Sequence, residues 1–104
     1  MMSGNKPMTI TEFLEARIIE DMEQAMAALV MYDPGSYGPT RVLAECATKQ
    51  FIVTMHQTYA QAASERKGIA ALGAECGRDV TEDVLKALAR VYGSHPDYRQ
   101  EWAL

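Results

Sequence analysis

The residues best equipped for chemistry stand together near the end of the chain, in His95-Pro96-Asp97-Tyr98-Arg99-Gln100-Glu101-Trp102. An imidazole, two carboxylates, a phenol and a guanidinium in so short a run could form an acid/base or anion-binding site. Aromatic and arginine anchors could equally make a protein-binding surface. The simplest reading is structural. Tyr98 and Trp102 are four apart and share a helical face, so they could dock a kinked cap on the first and third helices, with Arg99 tied to Asp97 or Glu101. If the stretch instead works outwardly, its candidate interaction surface is His95, Asp97, Tyr98, Arg99, Glu101 and Trp102.

Other constellations are weaker. Zinc takes thiolates and imidazoles, and Cys46, His56, Cys76 and His95 supply two of each. No pair has the short spacing that closes a chelate. Nucleophilic catalysis needs a thiol or hydroxyl beside a base; Cys46 and His56 are ten residues apart and cannot touch within one helix. Glu12, Glu15, Glu20, Asp21 and Glu23 lack the Glu-x-x-His partner of a carboxylate metal site and read as a solvated acidic face. No catalytic residue, cofactor or metal is therefore expected.

These side chains must be positioned by helices. The chain of 104 residues is 48% hydrophobic and 23% charged, which suits one globular domain with a small core. Residues 1–7 read as a flexible extension before a single helical domain over 8–104. Thr9-Ile10-Thr11-Glu12 is a capping box, with Met8 and Phe13 at the staple positions. Ile10, Leu14, Ile18, Met22, Ala25 and Leu29 then follow at helical spacing. Tyr32 to Pro39 is rich in turn formers. A second helix carries the stripe Leu43, Ala47, Phe51, Met55, Tyr59 and Ala62 and runs to about Arg66, where Gly68 either breaks it or sits inside it. Ile69, Leu72 and Cys76 form a short stripe with Gly77 as a possible cap. Asp79-Val80-Thr81-Glu82 begins a third helix, which carries Val84, Leu85, Leu88, Val91 and Tyr92 and stops at Gly93. The expected class is all-α: a helical hairpin or three-helix bundle with a short C-terminal capping helix.

Charge and hydropathy narrow the function classes. The net charge is −4 and the ten basic residues are scattered, which disfavours nucleic-acid binding unless folding gathers Arg41, Lys49, Arg66, Lys67, Arg78, Lys86 and Arg90 on one face. No apolar run approaches a membrane span, and the N-terminus lacks the apolar core of a signal peptide. A cytoplasmic location is the plain expectation, with both cysteines as reduced thiols. Methionines on the stripes suit a core or an adaptable interface, and so small a core suits a homodimer through the first or second helix.

The closing stretch Tyr92-Gly93-Ser94-His95-Pro96-Asp97-Tyr98-Arg99-Gln100-Glu101-Trp102 resembles the end of an uncharacterised family of small proteins encoded by actinobacteria and their phages. Its members commonly finish Tyr-Ala-Asp-His-Pro-Asp-Tyr-Arg-x-Glu-Trp. Met8 to Arg17 with Glu20-Asp21, and Pro39 to Glu45, resemble two further family blocks. The chain departs from relatives that carry additional Cys and His before the closing motif, and from those with a Trp-containing insertion between the first two helices. The resemblance implies an actinobacterial or phage origin, a domain start at Met8 and no known activity. The leading expectation is a non-enzymatic phage-type protein that binds another protein, as in interference with a host factor in the host cytoplasm. A nucleic-acid-associated regulator is the alternative. A metal protein or enzyme using the C-terminal His/Asp/Tyr/Arg stretch is the third reading.

Overall fold

The computed structural model describes residues 8–31 and 38–104, and among them every regular element is helical. Three α-helices, α1 (Ile10–Met31), α2 (Gly38–Glu65) and α3 (Ile69–Arg90), are followed by a single 3-10 turn, Gln100–Trp102. The expected flexible extension over 1–7 and residues 32–37 of the expected turn-rich connector lie outside the described residues. Helix α2 is the centre of the bundle and packs along both α1 and α3.

The start of α1 is chemically specified. The Thr9 amide donates to Glu12 Oε1 at 2.9 Å, and the Glu12 amide donates to Thr9 Oγ1 at 3.1 Å. Both partners of the capping box are in place, satisfying two amides that a helix start leaves orphaned. The stripe of α1 then holds through Leu14, Ile18 and Ala25, all buried, with Ile10 and Met22 against the core. It fails at Leu29, which is exposed.

Helix α2 survives its β-branched run at Ile52-Val53-Thr54 because Val53 is buried and tertiary packing outweighs propensity. Its inward ridge differs from the expected stripe. Pro39, Cys46 and Val53 go inward, while Ala47 and Phe51 face solvent. Phe51 is 64% exposed. A helix flanked by two others buries the arc between them, and Phe51 lies opposite that arc.

Gly68 settles the break. It has φ of +66°, a left-handed conformation open chiefly to glycine, and α3 begins at the next residue. Helix α3 then runs unbroken to Arg90, so Gly77 is no cap and Asp79 to Glu82 starts nothing. The buried ridge of α3 is Ala71, Ala74, Thr81, Leu85 and Ala89. Ile69, Leu72 and Cys76, the expected stripe, are exposed instead. The reason is close approach: a Cβ on Gly77 would stand 2.5 Å from the Tyr59 ring, so the α2–α3 contact admits small residues and turns the larger ones outward. Gly93 is not left-handed either. The helix tightens out through i→i+3 bonds, with the amides of Val91, Tyr92 and Gly93 donating to Leu88, Ala89 and Arg90 carbonyls at 2.9–3.1 Å.

Candidate functional site

The closing stretch folds back over the start of α1. Phe13, fully buried, is ringed by Trp102, His95, Tyr98 and Tyr92 at centroid distances of 5.0, 5.7, 6.1 and 6.3 Å. Tyr98 and Trp102 meet edge to face at 5.7 Å, the arrangement that ring quadrupoles favour. The backbone reaches this position by short turns: the amide of His95 donates to Tyr92 O, that of Tyr98 to His95 O, and that of Trp102 to Arg99 O. Trp102 is buried, while His95, Tyr98 and Arg99 are half-buried. Of the six candidate residues, Asp97 and Glu101 alone are exposed.

Arg17 latches the stretch from below. Its side chain is buried, with the guanidinium 5.2 Å from the Phe13 ring centroid. Nε donates to Glu20 Oε1 at 2.8 Å, and Nη1 lies 3.1 Å from His95 Nδ1 and 3.7 Å from Asp97 Oδ2. The Asp97 amide also donates to His95 Nδ1, at 3.0 Å. That nitrogen therefore accepts twice, and the ring proton sits on Nε2. Arg99 pairs with Glu101 at the surface. A buried guanidinium so held organises the backbone around it.

A second polar chain begins one turn along α1. Tyr92 donates to Asp21 Oδ2 at 2.7 Å and accepts from Lys49 Nζ at 3.1 Å, with the ammonium 5.1 Å from the Tyr92 ring centroid. Burial, reinforced by the hydrogen bond and charge of Asp21, holds the Tyr92 phenol well above its ordinary range. Burial and then Asp21 likewise raise the Cys46 thiol. Both groups are kept in their protonated forms, so Cys46 is not poised as a nucleophile. Asp21 accordingly leaves the expected solvated acidic face, whereas Glu15, Glu20 and Glu23 stay exposed. A cavity of about 430 Å³ adjoins this chain, bounded by Asp21, Ala25, Cys46 and Lys49.

Arg17 and Asp21 were legible in principle. With Ile10 and Leu14 they recur at spacings of four, three and four, on the stripe of α1 rather than beside it. The four zinc candidates are dispersed. Cys46 is buried and Cys76 exposed. His56 Nδ1 lies 2.8 Å from Thr81 Oγ1, and Thr81 in turn donates to the Gly77 carbonyl at 2.8 Å, so His56 is the donor of that pair. Among the described residues no three of His, Cys, Asp and Glu converge as a metal site. No helix there is long and apolar enough to cross a membrane.

Arg41 and Arg66 are set at opposite ends of α2, about 37 Å apart by helical rise, and Arg41 and Arg78 are paired to Glu45 and Asp79.

A different surface stands out. Residues 50–64 of α2 contain no Asp, Glu, Lys or Arg. Phe51 rises from its outer side among Ala44, Ala47, Thr48, Thr54, Met55 and Thr58. The hydroxyls of Thr48 and Thr58 donate back to the carbonyls of Ala44 and Thr54 at 3.1 and 3.0 Å, which removes them as outward donors. Beside this face runs the outer ridge of α3: Ile69, Gly73, Cys76, Val80, Val84, Ala87 and Val91, all exposed, spaced by three and four. Between the helices a groove of about 340 Å³ opens over Ala44, Thr48, Ile52 and Leu88, with Arg41, Glu45 and Lys49 completing its wall.

No curated protein and no solved structure matches the chain. The model of a family described as "Family of unknown function (DUF6221)" matches residues 7–104. Since that match takes in all three helices, the aromatic cap and the outer face together, the chain belongs to this family of unknown function.

Proposed function

We propose that this protein is a non-enzymatic helical bundle that works by binding protein, and that its contact surface is the outer face of α2 and α3. The observation that carries the reading is the uncharged run of α2 with Phe51 standing 64% exposed at its centre. Interface cores are depleted of charge and enriched in aromatic residues and methionine, and an exposed phenyl ring among small neighbours is the form of an anchor. The closing stretch is the weaker candidate surface, because Trp102 and Tyr98 are engaged by Phe13. The likeness of the closing motif to proteins of actinobacteria and their phages extends the reading to biology: a phage-type protein acting in the host cytoplasm by blocking a host factor.

The test is affinity capture from an actinobacterial lysate with wild-type protein beside Phe51→Glu, with circular dichroism melts on both. The expected result is a specific partner lost in the variant while its melt is unchanged. Equal capture by both proteins would remove the outer face from the reading.

A further inference from the structure

We infer that the outer α2–α3 face pairs with a second copy of this chain, each copy seating its Phe51 in the other's α2–α3 groove. The inference rests on the protein-binding reading above and names the first partner of that surface.

Three observations select a second copy. First, knob and hole lie side by side on one face: Phe51 projects beside a groove lined by Ala44, Thr48, Ile52 and Leu88. A two-fold axis lying in the interface and bisecting the line between them carries each ring onto the other copy's groove. That reciprocity is what an isologous contact requires. The groove, at about 340 Å³, is large enough for a phenyl ring, whose volume is below the range of whole ligand pockets.

Charge is the second observation. Two copies of a chain with net charge −4 repel one another. The outer side of α1, where Glu12, Glu15, Glu20 and Glu23 are exposed, would place like charges together. The α2 run over 50–64 carries none, and the carboxylate on the groove wall, Glu45, is paired with Arg41 at 3.0 Å, so here two copies can approach without facing an unpaired carboxylate across the contact. Asp79 and Asp83 border α3 on the edge away from α2, at the rim where solvent screens them.

Area is the third. The α3 ridge from Ile69 to Val91 is about 33 Å long by helical rise. Two helices packed about 10 Å apart give a face roughly 20 Å wide. The product is on the order of 650 Å² per copy, or ~1,300 Å² in all, within the range of specific interfaces. The α3 ridge alone would supply only about half of that. Both helices are needed, and the pair of hairpins forms a four-helix layer.

Sedimentation equilibrium on the full chain tests this with three proteins: wild type, Phe51→Glu and Ala44→Trp. Phe51→Glu removes the knob; Ala44→Trp fills the hole and leaves Phe51 intact. Circular dichroism melts check that each variant is folded. The expected result is a dimer for wild type and a dissociation constant at least roughly tenfold weaker for either variant, ~1.4 kcal/mol. A wild-type monomer throughout the accessible concentration range would overturn the self-pairing, as would a dimer untouched by both variants. If the wild type is monomeric and Phe51→Glu still loses a captured partner, self-pairing alone has failed and the protein-binding reading stands. If neither oligomeric state nor capture depends on Phe51, both have failed.

Discussion

The aromatic cap and the outer face of α2 exchange the roles that their sequences advertise. His95 to Trp102 carries nearly every kind of functional group, and its rings are packed on Phe13 with Arg17 holding the polar atoms. Gln50 to Ser64 carries no Asp, Glu, Lys or Arg and one phenylalanine, and that ring stands in solvent. Chemical variety at the C-terminus comes from anchoring a short tail whose regular structure is one 3-10 turn: such a tail needs large rings for burial and charged partners to hold it in place. Chemical monotony on α2 is what remains when a surface helix is relieved of charge. The first pattern stabilises a fold, and the second leaves a face that another molecule can cover.

The largest effect that could break this contrast is on stability. Trp102→Ala removes a buried indole from the Phe13 cluster, and such truncations cost about 3–5 kcal/mol. Phe51→Ala removes a ring that is mostly in water, and exposed substitutions away from special features fall within ~0.5 kcal/mol. Urea titrations at low protein concentration should therefore separate the two variants widely. Equal midpoints would mean that the cap contributes no more to stability than the outer face does.

Alkaline titration probes the polar chain beneath the cap. The Tyr92 phenol is raised by burial and by Asp21, so its folded pKa lies above its unfolded one. Its contribution to stability is complete below the unfolded tyrosine pKa of about 10, and it is lost as pH climbs from there toward the folded value. Tyr92→Phe should cost about 1 kcal/mol at neutral pH through the hydrogen bond to Asp21. It should also flatten the decline above pH ~10. Urea midpoints for both proteins across that range measure the difference. A wild-type curve no steeper than that of the variant would show that the phenol ionises as freely in the fold as out of it.

How much of this was legible in the sequence follows from which forces are local. The capping box at Thr9 and Glu12 is a contact within four residues, and it formed as read. The all-α class and the three helices also rest on short-range periodicity. The faces of α2 and α3 were misassigned because both helices are apolar on two sides. The helical spacing of apolar residues put Phe51 and Ile69 inward, whereas close packing of Gly77 on Tyr59 selected small residues for the inside. Arg17 escaped notice because its partners, His95 and Asp97, are some eighty residues away in sequence. A buried charge is explained only by long-range partners, which periodicity cannot supply.

The smallest expected effect sharpens the comparison within α3 itself, using two glycines four residues apart. Gly73 lies on the outer ridge, and a Cβ there meets nothing within 4 Å. Gly73→Ala should raise stability by ~1 kcal/mol, the ordinary difference in helix propensity. Gly77 lies on the inner contact, where the same Cβ stands 2.5 Å from Tyr59 ring carbons. The ring must swing outward and forfeit its packing on α3, so Gly77→Ala should lose the propensity gain and fall below wild type by about 1 kcal/mol, as overpacking does. Thermal melts of the two variants should thus move in opposite directions. A stabilised Gly77→Ala would show that Tyr59 yields freely and that the α2–α3 contact does not depend on the missing side chain. A destabilised Gly73→Ala, in protein dilute enough to be monomeric, would show that the outer ridge of α3 is not open space.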